Sequence, residues 1–254
     1  MNTTTIHKTK ADKKKPIVCL KDVAVAYQSN VAIFDVNLDI YQNDFFGICG
    51  PNGSGKSTIL KTIVGAVSPF KGTVRVFGED IMKGNIRALK SRMGYLPQKE
   101  QIDRNFPALV KDVVGMGLFA QVGFFRRLSE EDHAKIVRAL EIVEMTALAD
   151  RPIGHLSGGQ QQKVMIARGI VNEPDILLLD EPFAALDFKV EQTIMELIEK
   201  IHEETNVTII MISHSINFIK KYCTRAACVD RRVIWKGKPS EEDFDDVIKT
   251  VFLH

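Results

Sequence analysis

Residues 45–64 read FFGICGPNGSGKSTILKTIV, and this stretch decides the fold. An apolar run leads into a glycine-rich loop, and the apolar residues after the loop recur at helical spacing. The order strand, glycine loop, helix is the context that a phosphate-binding loop requires. Glycines let the backbone turn its N–H groups towards phosphate oxygens, and the N-terminus of the following helix attracts anions. The sequence therefore predicts a nucleotide-binding loop formed by Gly50, Pro51, Asn52, Gly53, Ser54, Gly55, Lys56, Ser57 and Thr58.

The side chains around this loop predict chemistry on a nucleotide. Lys56 is expected to reach the β- and γ-phosphates, and the hydroxyl of Ser57 to coordinate Mg²⁺. Residues 176–179 form an apolar run that ends in Asp180 and Glu181. Ligands of open parallel sheets bind at the carboxyl ends of the strands. Asp180 is therefore expected to join the magnesium site, which leaves Glu181 to polarise the attacking water.

A second glycine motif, LSGGQ at residues 156–160, opens a stretch with helical apolar spacing. Ser157 is expected to cap this helix, and the glycines expose N–H groups at its N-terminus, which makes a second anion site. With this motif the sequence resembles the ATP-binding cassette (ABC) ATPases, whose signature is LSGGQ. The resemblance covers nearly the whole chain after a basic tail. It implies that two copies clamp two ATP molecules head to tail, each between Lys56 of one copy and the other copy's signature residues, Ser157, Gly158, Gly159 and Gln160.

The same resemblance assigns roles to four further residues. Tyr27 matches the aromatic residue that stacks on adenine, and Gln98 matches the glutamine that touches Mg²⁺ and the lytic water. Asp187 resembles the loop that contacts the other copy, and His214 resembles the histidine that senses the γ-phosphate. Ser215 departs from the aspartate that more often follows this histidine. The resemblance thus implies a catalytic set of Glu181, His214, Gln98 and Lys56, with Ser57, Gln98 and Asp180 around Mg²⁺.

The pattern along the chain predicts an α/β protein with a P-loop NTPase core and a mainly parallel sheet. Apolar and polar residues alternate through residues 16–49, which favours an N-terminal antiparallel β subdomain. A helical insertion is expected at about residues 99–165, where helix-period segments such as 130–143 are found. Together these parts match the ABC ATPase fold. Further strands are predicted at residues 73–77, 93–96, 176–179, 207–212 and 226–229.

The two ends of the chain carry charge runs. Residues 1–15 contain five lysines against one aspartate and no apolar core of a secretory signal, so they predict a disordered basic tail. Contact of this tail with anionic lipid is the alternative. Residues 16–254 are expected to form one ABC ATPase domain, in which the acidic runs after Trp235 form a solvated tail.

Composition excludes several classes of protein. Of the 254 residues, 45% are hydrophobic and 26% charged, which is ordinary for a folded protein rather than a disordered one. The longest stretches without a charged residue are shorter than the ~18 apolar residues that cross a bilayer. The net charge of +2 gives no sign of nucleic-acid binding. The four cysteines are expected to be reduced residues of the core, since they form no paired motif: Cys19, Cys49, Cys223 and Cys228.

Length narrows the type of ABC ATPase. Only 101 positions separate Lys56 from Ser157, which leaves no room for the long coiled coils of chromosome-maintenance relatives. A single cassette without a repeat resembles the separate ATPase subunit of a transporter. That resemblance implies a homodimer, membrane permease subunits, an extracytoplasmic solute-binding protein and a peripheral position on the cytoplasmic face of the membrane.

The carried substrate is suggested only by overall similarity. Four short stretches, at residues 106–107, 112–117, 125–127 and 160–162, are similar to the corresponding sequences in the ATPase subunits of zinc and manganese importers. Iron-chelate and cobalamin importers are the alternative, and a non-transport ABC ATPase is the second alternative. In the segment 113–125, Phe124 or Phe125 is expected to anchor a short helix of the permease, against the alternative that both fill the core.

Overall fold

Two β-sheets with helices packed on them form the part of the chain that this computed structural model describes, residues 15–98, 103, 106–119, 127–183 and 186–252. The predicted basic tail lies outside the described residues except for Lys15. Phe124 and Phe125 also lie outside them, so their predicted docking role is not addressed by the structure.

The larger sheet has six strands in the order β10-β9-β3-β8-β7-β6. Its strands pair in parallel except for the antiparallel pair β9 and β10. Strands β3, β7 and β8 are buried at every residue, as expected for parallel strands that are covered on both faces. The bounds are β3 Phe45–Cys49, β6 Met93–Leu96, β7 Ile176–Asp180, β8 Thr208–Ile212, β9 Arg225–Asp230 and β10 Arg232–Gly237.

The smaller sheet is antiparallel, with the order β2-β1-β4-β5. Its apolar side chains, such as Val18, Leu20 and Ile33, pack with one face of the larger sheet around the helix that follows the glycine loop. The other face of the larger sheet packs against the helices that follow β6 in the chain, in a second core. The predicted α/β architecture is confirmed. The bounds are β1 Val18–Tyr27, β2 Asn30–Ile40, β4 Lys71–Val76 and β5 Glu79–Asp80.

Helices α3 to α5 lie between β6 and β7 in the chain and contact one another, which fits the predicted helical insertion. The exact boundaries of that subdomain, about 99–165, stay a prediction. Short 3₁₀ turns follow α3, at Met116–Leu118, and precede α5, at Ile153–His155. The helix bounds are α1 Lys56–Ile63, α2 Ile86–Lys90, α3 Val110–Gly115, α4 Glu130–Ile142, α5 Gly158–Ile170, α6 Phe188–Thr205, α7 Ile216–Tyr222 and α8 Glu242–Phe252.

The prediction of a solvated tail after Trp235 was wrong. Helix α8 packs on the larger sheet, and Phe244 is fully buried with its ring centroid 4.8 Å from that of Trp235. The indole Nε1 of Trp235 donates a hydrogen bond to Asp243 Oδ2 at 2.9 Å. The acidic residues occupy the wet face of an amphipathic helix, because Phe244, Val247 and Ile248 recur at three- and four-residue spacing.

Candidate active site

The glycine loop between β3 and α1 has a shape that depends on its glycines. Gly50 and Gly55 have φ angles of +148° and +95°, in the region that side chains disfavour. A Cβ at Gly50 would lie 2.1 Å from the carbonyl oxygen of Val229, and one at Gly55 would lie 2.2 Å from Ile33 Cγ2. Both the backbone conformation and the close neighbours therefore require glycine at these positions.

Lys56 spans this loop with its side chain. Its Nζ donates hydrogen bonds to the carbonyl oxygens of Gly50, at 3.0 Å, and Pro51, at 2.8 Å. Burial lowers the pKa of Lys56, while the nearby Glu181 opposes that shift. The Ser54 hydroxyl of the same loop is buried without a hydrogen-bond partner among the described residues. A buried ammonium and an unpaired hydroxyl beside exposed loop backbone suit a bound phosphate chain, because both can donate to its oxygens.

Ser57 and Asp180 meet where the start of α1 faces the end of β7. The Ser57 hydroxyl donates to Asp180 Oδ1 at 2.9 Å. Asp180 is buried, and that burial raises the pKa of its carboxyl group, with the Ser57 hydrogen bond acting in the opposite direction. Hydroxyl and carboxylate oxygens are hard ligands that Mg²⁺ accepts. Among the described residues no group of three or more His, Cys, Asp or Glu could hold a metal, so the two oxygens fit an ion held chiefly by nucleotide phosphates.

Glu181 is the centre of a hydrogen-bonded group that three neighbouring strands bring together. Its Oε2 accepts from Gln98 Nε2 at 2.9 Å, and its Oε1 lies 2.7 Å from His214 Nε2. Gln98 follows β6, Glu181 follows β7 and His214 follows β8, and these strands are adjacent in the sheet. Glu181 has a φ of +50°, a conformation that non-glycine residues rarely adopt and that is concentrated at functional sites. The predicted catalytic residues Gln98, Glu181 and His214 are thus in contact.

The signature motif forms the start of α5, as predicted. Ser157 is the N-cap, and its side chain accepts a hydrogen bond from the Gln160 backbone N–H while Gln160 Oε1 accepts one from the Ser157 N–H. The capping box thus forms the first turn of α5, which lies at the positive end of the helix dipole. A Cβ at Gly159 would lie 2.7 Å from Val190 Cγ1, so this turn packs tightly on α6.

Two other predicted residues lie apart from the Glu181 group. Tyr27 is at the end of β1 with 45% of its surface exposed, which leaves its ring open to a flat ligand. Asp187 caps α6, and its Oδ1 accepts from the Val190 N–H at 3.1 Å. Residues 184 and 185, which precede it, lie outside the described part. The roles of Tyr27 and Asp187 stay predictions.

The sequence interpretation missed Tyr95, whose hydroxyl is buried without a hydrogen-bond partner among the described residues. Strand periodicity gives the face on which Tyr95 lies, but the pairing of β6 with β7 is needed to place it near Asp180. Tyr95 pairs with Leu178 in the sheet, and Leu178 shares its face with Asp180 two residues later. The phenol therefore belongs on the same side of the sheet as the candidate magnesium ligand.

A groove beside Gln98 was also missed, and it has a volume of about 280 Å³. Residues on β6, α3, α5 and the segments next to them line it, and among these residues Phe106 and Met116 are 45% and 40% exposed. Its members are distant in sequence, so only the packing of the helices on β6 brings them together. They include Leu96, Pro97, Val113, Gln162, Met165 and Arg168.

Comparison with known protein families decides the identity. Residues 33–184, which span the loop, the signature and Asp180, match the family model described as ABC transporter. The chain belongs to this family. The prediction of an ABC ATPase is confirmed, and as a member of the family the chain binds and hydrolyses ATP in the service of transport.

Curated relatives of this ABC protein belong to metal uptake and transport systems. The chain is 37% identical over 216 residues to the high-affinity zinc uptake system ATP-binding protein ZnuC of Bacillus subtilis, covering 85% of this chain and 91% of the relative. It is 35% identical over 222 residues to the manganese transport system ATP-binding protein MntB of Halalkalibacterium halodurans, covering 87% and 86%. It is also 37% identical over 232 residues to the chelated iron transport system membrane protein YfeB of Yersinia pestis, covering 91% and 76%.

Solved structures agree with the fold. The dimeric ABC transporter cassette MJ0796 has a TM-score of 0.75 at 30% identity, covering 88% of this chain and 99% of that one. The predicted ABC ATPase fold is confirmed, as is the family-level expectation that such subunits dimerise and work with membrane permeases. None of the helices in the described part of the chain has the length and apolar character needed to cross a membrane.

Proposed function

We propose that this chain is the ATPase subunit of an importer for a divalent metal ion, zinc or manganese. The observation that carries the proposal is its similarity, over most of both lengths, to a zinc uptake ATPase and a manganese transport ATPase. Two copies would bind the cytoplasmic face of a membrane permease, and an extracytoplasmic solute-binding protein would deliver the metal to that permease.

The nucleotide-site residues would divide the work of hydrolysis. Lys56 would exchange its two carbonyl partners for β- and γ-phosphate oxygens. Ser57 and Asp180 would hold Mg²⁺, with Gln98 near it, and the ion would neutralise developing negative charge on the phosphates. Glu181 would orient the attacking water and accept its proton. The contacts from Gln98 and His214 would hold the Glu181 carboxylate in place for this task.

The signature turn would act on the nucleotide of the other copy. Its capping box is satisfied within the turn itself, so the polar groups of Ser157 and Gln160 are already ordered. A positive helix end with small residues suits the γ-phosphate of an ATP held by a second P-loop. Each composite site would then take Lys56 from one copy and Ser157 from its partner.

The groove beside Gln98 would receive a short helix of the permease. Its wall combines the exposed apolar residues Phe106 and Met116 with Met165, a type of side chain that adapts to partner helices. Gln98 lies both at this groove and on Glu181, so one residue touches the partner surface and the catalytic carboxylate. This arrangement would transmit nucleotide-driven closure to the membrane subunit.

Measurement of the metal content of cells would test which substrate is carried. Zinc, manganese and iron are measured by mass spectrometry in cells with the native chain and in cells with Glu181→Gln as the sole copy, a variant that keeps the fold and nucleotide binding. A deficit in the variant confined to zinc or manganese supports the proposal. A deficit confined to iron favours the alternative of an iron-chelate importer, which the similarity to YfeB supports. Unchanged metals contradict metal import altogether.

A further inference from the structure

Tyr95 presents a buried polar group that the proposed mechanism does not use. Its hydroxyl oxygen is shielded from solvent and makes no hydrogen bond of normal geometry to the described residues. A buried hydroxyl without a partner costs free energy, and such groups are rare in folded proteins. The hydroxyl therefore calls for a hydrogen-bond acceptor within its reach.

The sheet directs this hydroxyl towards Asp180. Tyr95 on β6 pairs with Leu178 on β7, and side chains two residues apart along a strand share a face. Tyr95 and Asp180 are thus diagonal neighbours, a separation that a side chain as long as tyrosine can bridge. Burial raises the pKa of Tyr95 to about 12, and the negative charge of Asp180 and its position as a hydrogen-bond acceptor for the phenol add to the effect. A phenol hydroxyl is a hydrogen-bond donor, and a carboxylate oxygen accepts.

Asp180 has an oxygen for this donor. Its Oδ1 already accepts from Ser57, the hydroxyl predicted to coordinate Mg²⁺. An aspartate in a metal site must present its carboxylate in one orientation, and hydrogen bonds from neighbouring groups set that orientation. A second donor on Oδ2 would restrict rotation of the carboxylate about its bond to Cβ.

We propose that Tyr95 is a positioning residue for Asp180, and that in the nucleotide-loaded protein its hydroxyl donates to Asp180 Oδ2. The proposal rests on the proposed magnesium site. Tyr95 does not touch the reacting atoms, and it acts only through the orientation of Asp180. Its hydroxyl makes no hydrogen bond of normal geometry to the described residues, so its removal should cost little stability in the absence of nucleotide.

Tyr95→Phe tests this inference through stability and through Mg²⁺ dependence rather than through activity alone. Thermal unfolding of the full chain is followed without nucleotide, with ATP and EDTA, and with ATP in a titration of Mg²⁺. We expect Tyr95→Phe to unfold at the wild-type temperature or higher without nucleotide, and to bind ATP normally in EDTA. The Mg²⁺ concentration for half-maximal stabilisation by ATP should rise about tenfold, as for loss of one hydrogen bond to a charged group.

Tyr222→Phe is the matched control, because its hydroxyl bonds Lys221 on α7 rather than any residue of the site. Its Mg²⁺ dependence should equal that of the wild type. A lower unfolding temperature of nucleotide-free Tyr95→Phe, or a Mg²⁺ requirement within twofold of the wild type, would overturn the inference. If ATP stabilised the wild-type chain equally with and without Mg²⁺, that result would contradict the proposed magnesium site and, with it, this inference.

Discussion

The Glu181 group and the signature turn are both candidate nucleotide contacts, but they differ in how complete they are. The Glu181 group is bonded within one chain, through Gln98 on one side and His214 on the other. The signature turn satisfies its own cap through Ser157 and Gln160 and presents its helix end outward. In the proposed mechanism, the Glu181 group performs chemistry on a nucleotide that this chain holds, and the signature turn contacts a nucleotide held by the other copy.

This difference teaches that the two regions should fail in different ways. A defect at Glu181 should abolish the chemical step and leave association of two copies intact. A defect at the signature should leave the nucleotide site of its own chain intact and damage that of the partner. Variants that preserve local structure can separate these two kinds of failure.

The largest effect is expected for Glu181→Gln. The amide keeps the shape and can still bond its neighbours, but it cannot accept a proton from water, so turnover should fall about 10²–10⁴-fold. Binding of ATP should persist, and the protein should accumulate as an ATP-bound dimer because hydrolysis separates the copies. Steady-state phosphate release together with size-exclusion chromatography in ATP measures both. A rate within a few-fold of the wild type would remove Glu181 from the role of base.

Ser157→Asp should have the next largest effect. Aspartate caps a helix as well as serine does, so α5 should stay intact, while a new carboxylate faces the partner's γ-phosphate. Repulsion between like charges in a closed site costs several kcal/mol, which predicts a loss of ATPase on the order of 100-fold.

Ser157→Asn is the matched control for this variant, since asparagine caps equally well without the charge. It should retain most of the activity, and all three proteins should bind ATP alike as monomers. Substitution at Gly159 would be a poorer test, because any Cβ there meets Val190. Equal ATPase rates for the Asp and Asn variants would contradict contact between the signature and phosphate.

The smallest effect is expected for Gln98→Ala. Glu181 would lose one of its two hydrogen-bonded neighbours and keep His214, so the ATPase rate should fall by about tenfold or less. Nucleotide affinity measured in EDTA should not change. If the rate fell as far as in Glu181→Gln, Gln98 would have to act on the water itself rather than through Glu181.

The sequence predicted the parts of the site that are local. A strand, a glycine loop and a helix in succession specify the P-loop, and Ser157 before a stretch with helical apolar spacing specifies an N-cap. Contacts between residues on neighbouring strands were harder to predict from the sequence. Tyr95 was missed because its link to Asp180 depends on which strands are neighbours, and strand order is not written in local pattern.

The wrong prediction of a solvated tail after Trp235 has a similar cause. Acidic runs after Trp235 suggested solvation, but Phe244 between the runs and Val247 and Ile248 after them face the core as one stripe of α8. Charge counts describe the wet face of an amphipathic helix and say nothing of its opposite face. The position of Phe244 against Trp235 depends on tertiary packing, which composition does not reveal.

Mixing two inactive variants tests the division between the two regions most directly. Lys56→Ala should lose the nucleotide site of its own chain, and Ser157→Asp should disable the site of its partner. In a mixed dimer, the Ser157→Asp chain supplies an intact Lys56 and the Lys56→Ala chain supplies an intact Ser157, so one composite site is restored. We predict that ATPase activity, near zero for each variant alone, recovers on mixing towards half the wild-type rate per dimer at most. Mixed dimers that are shown to form but hydrolyse no ATP would contradict the account.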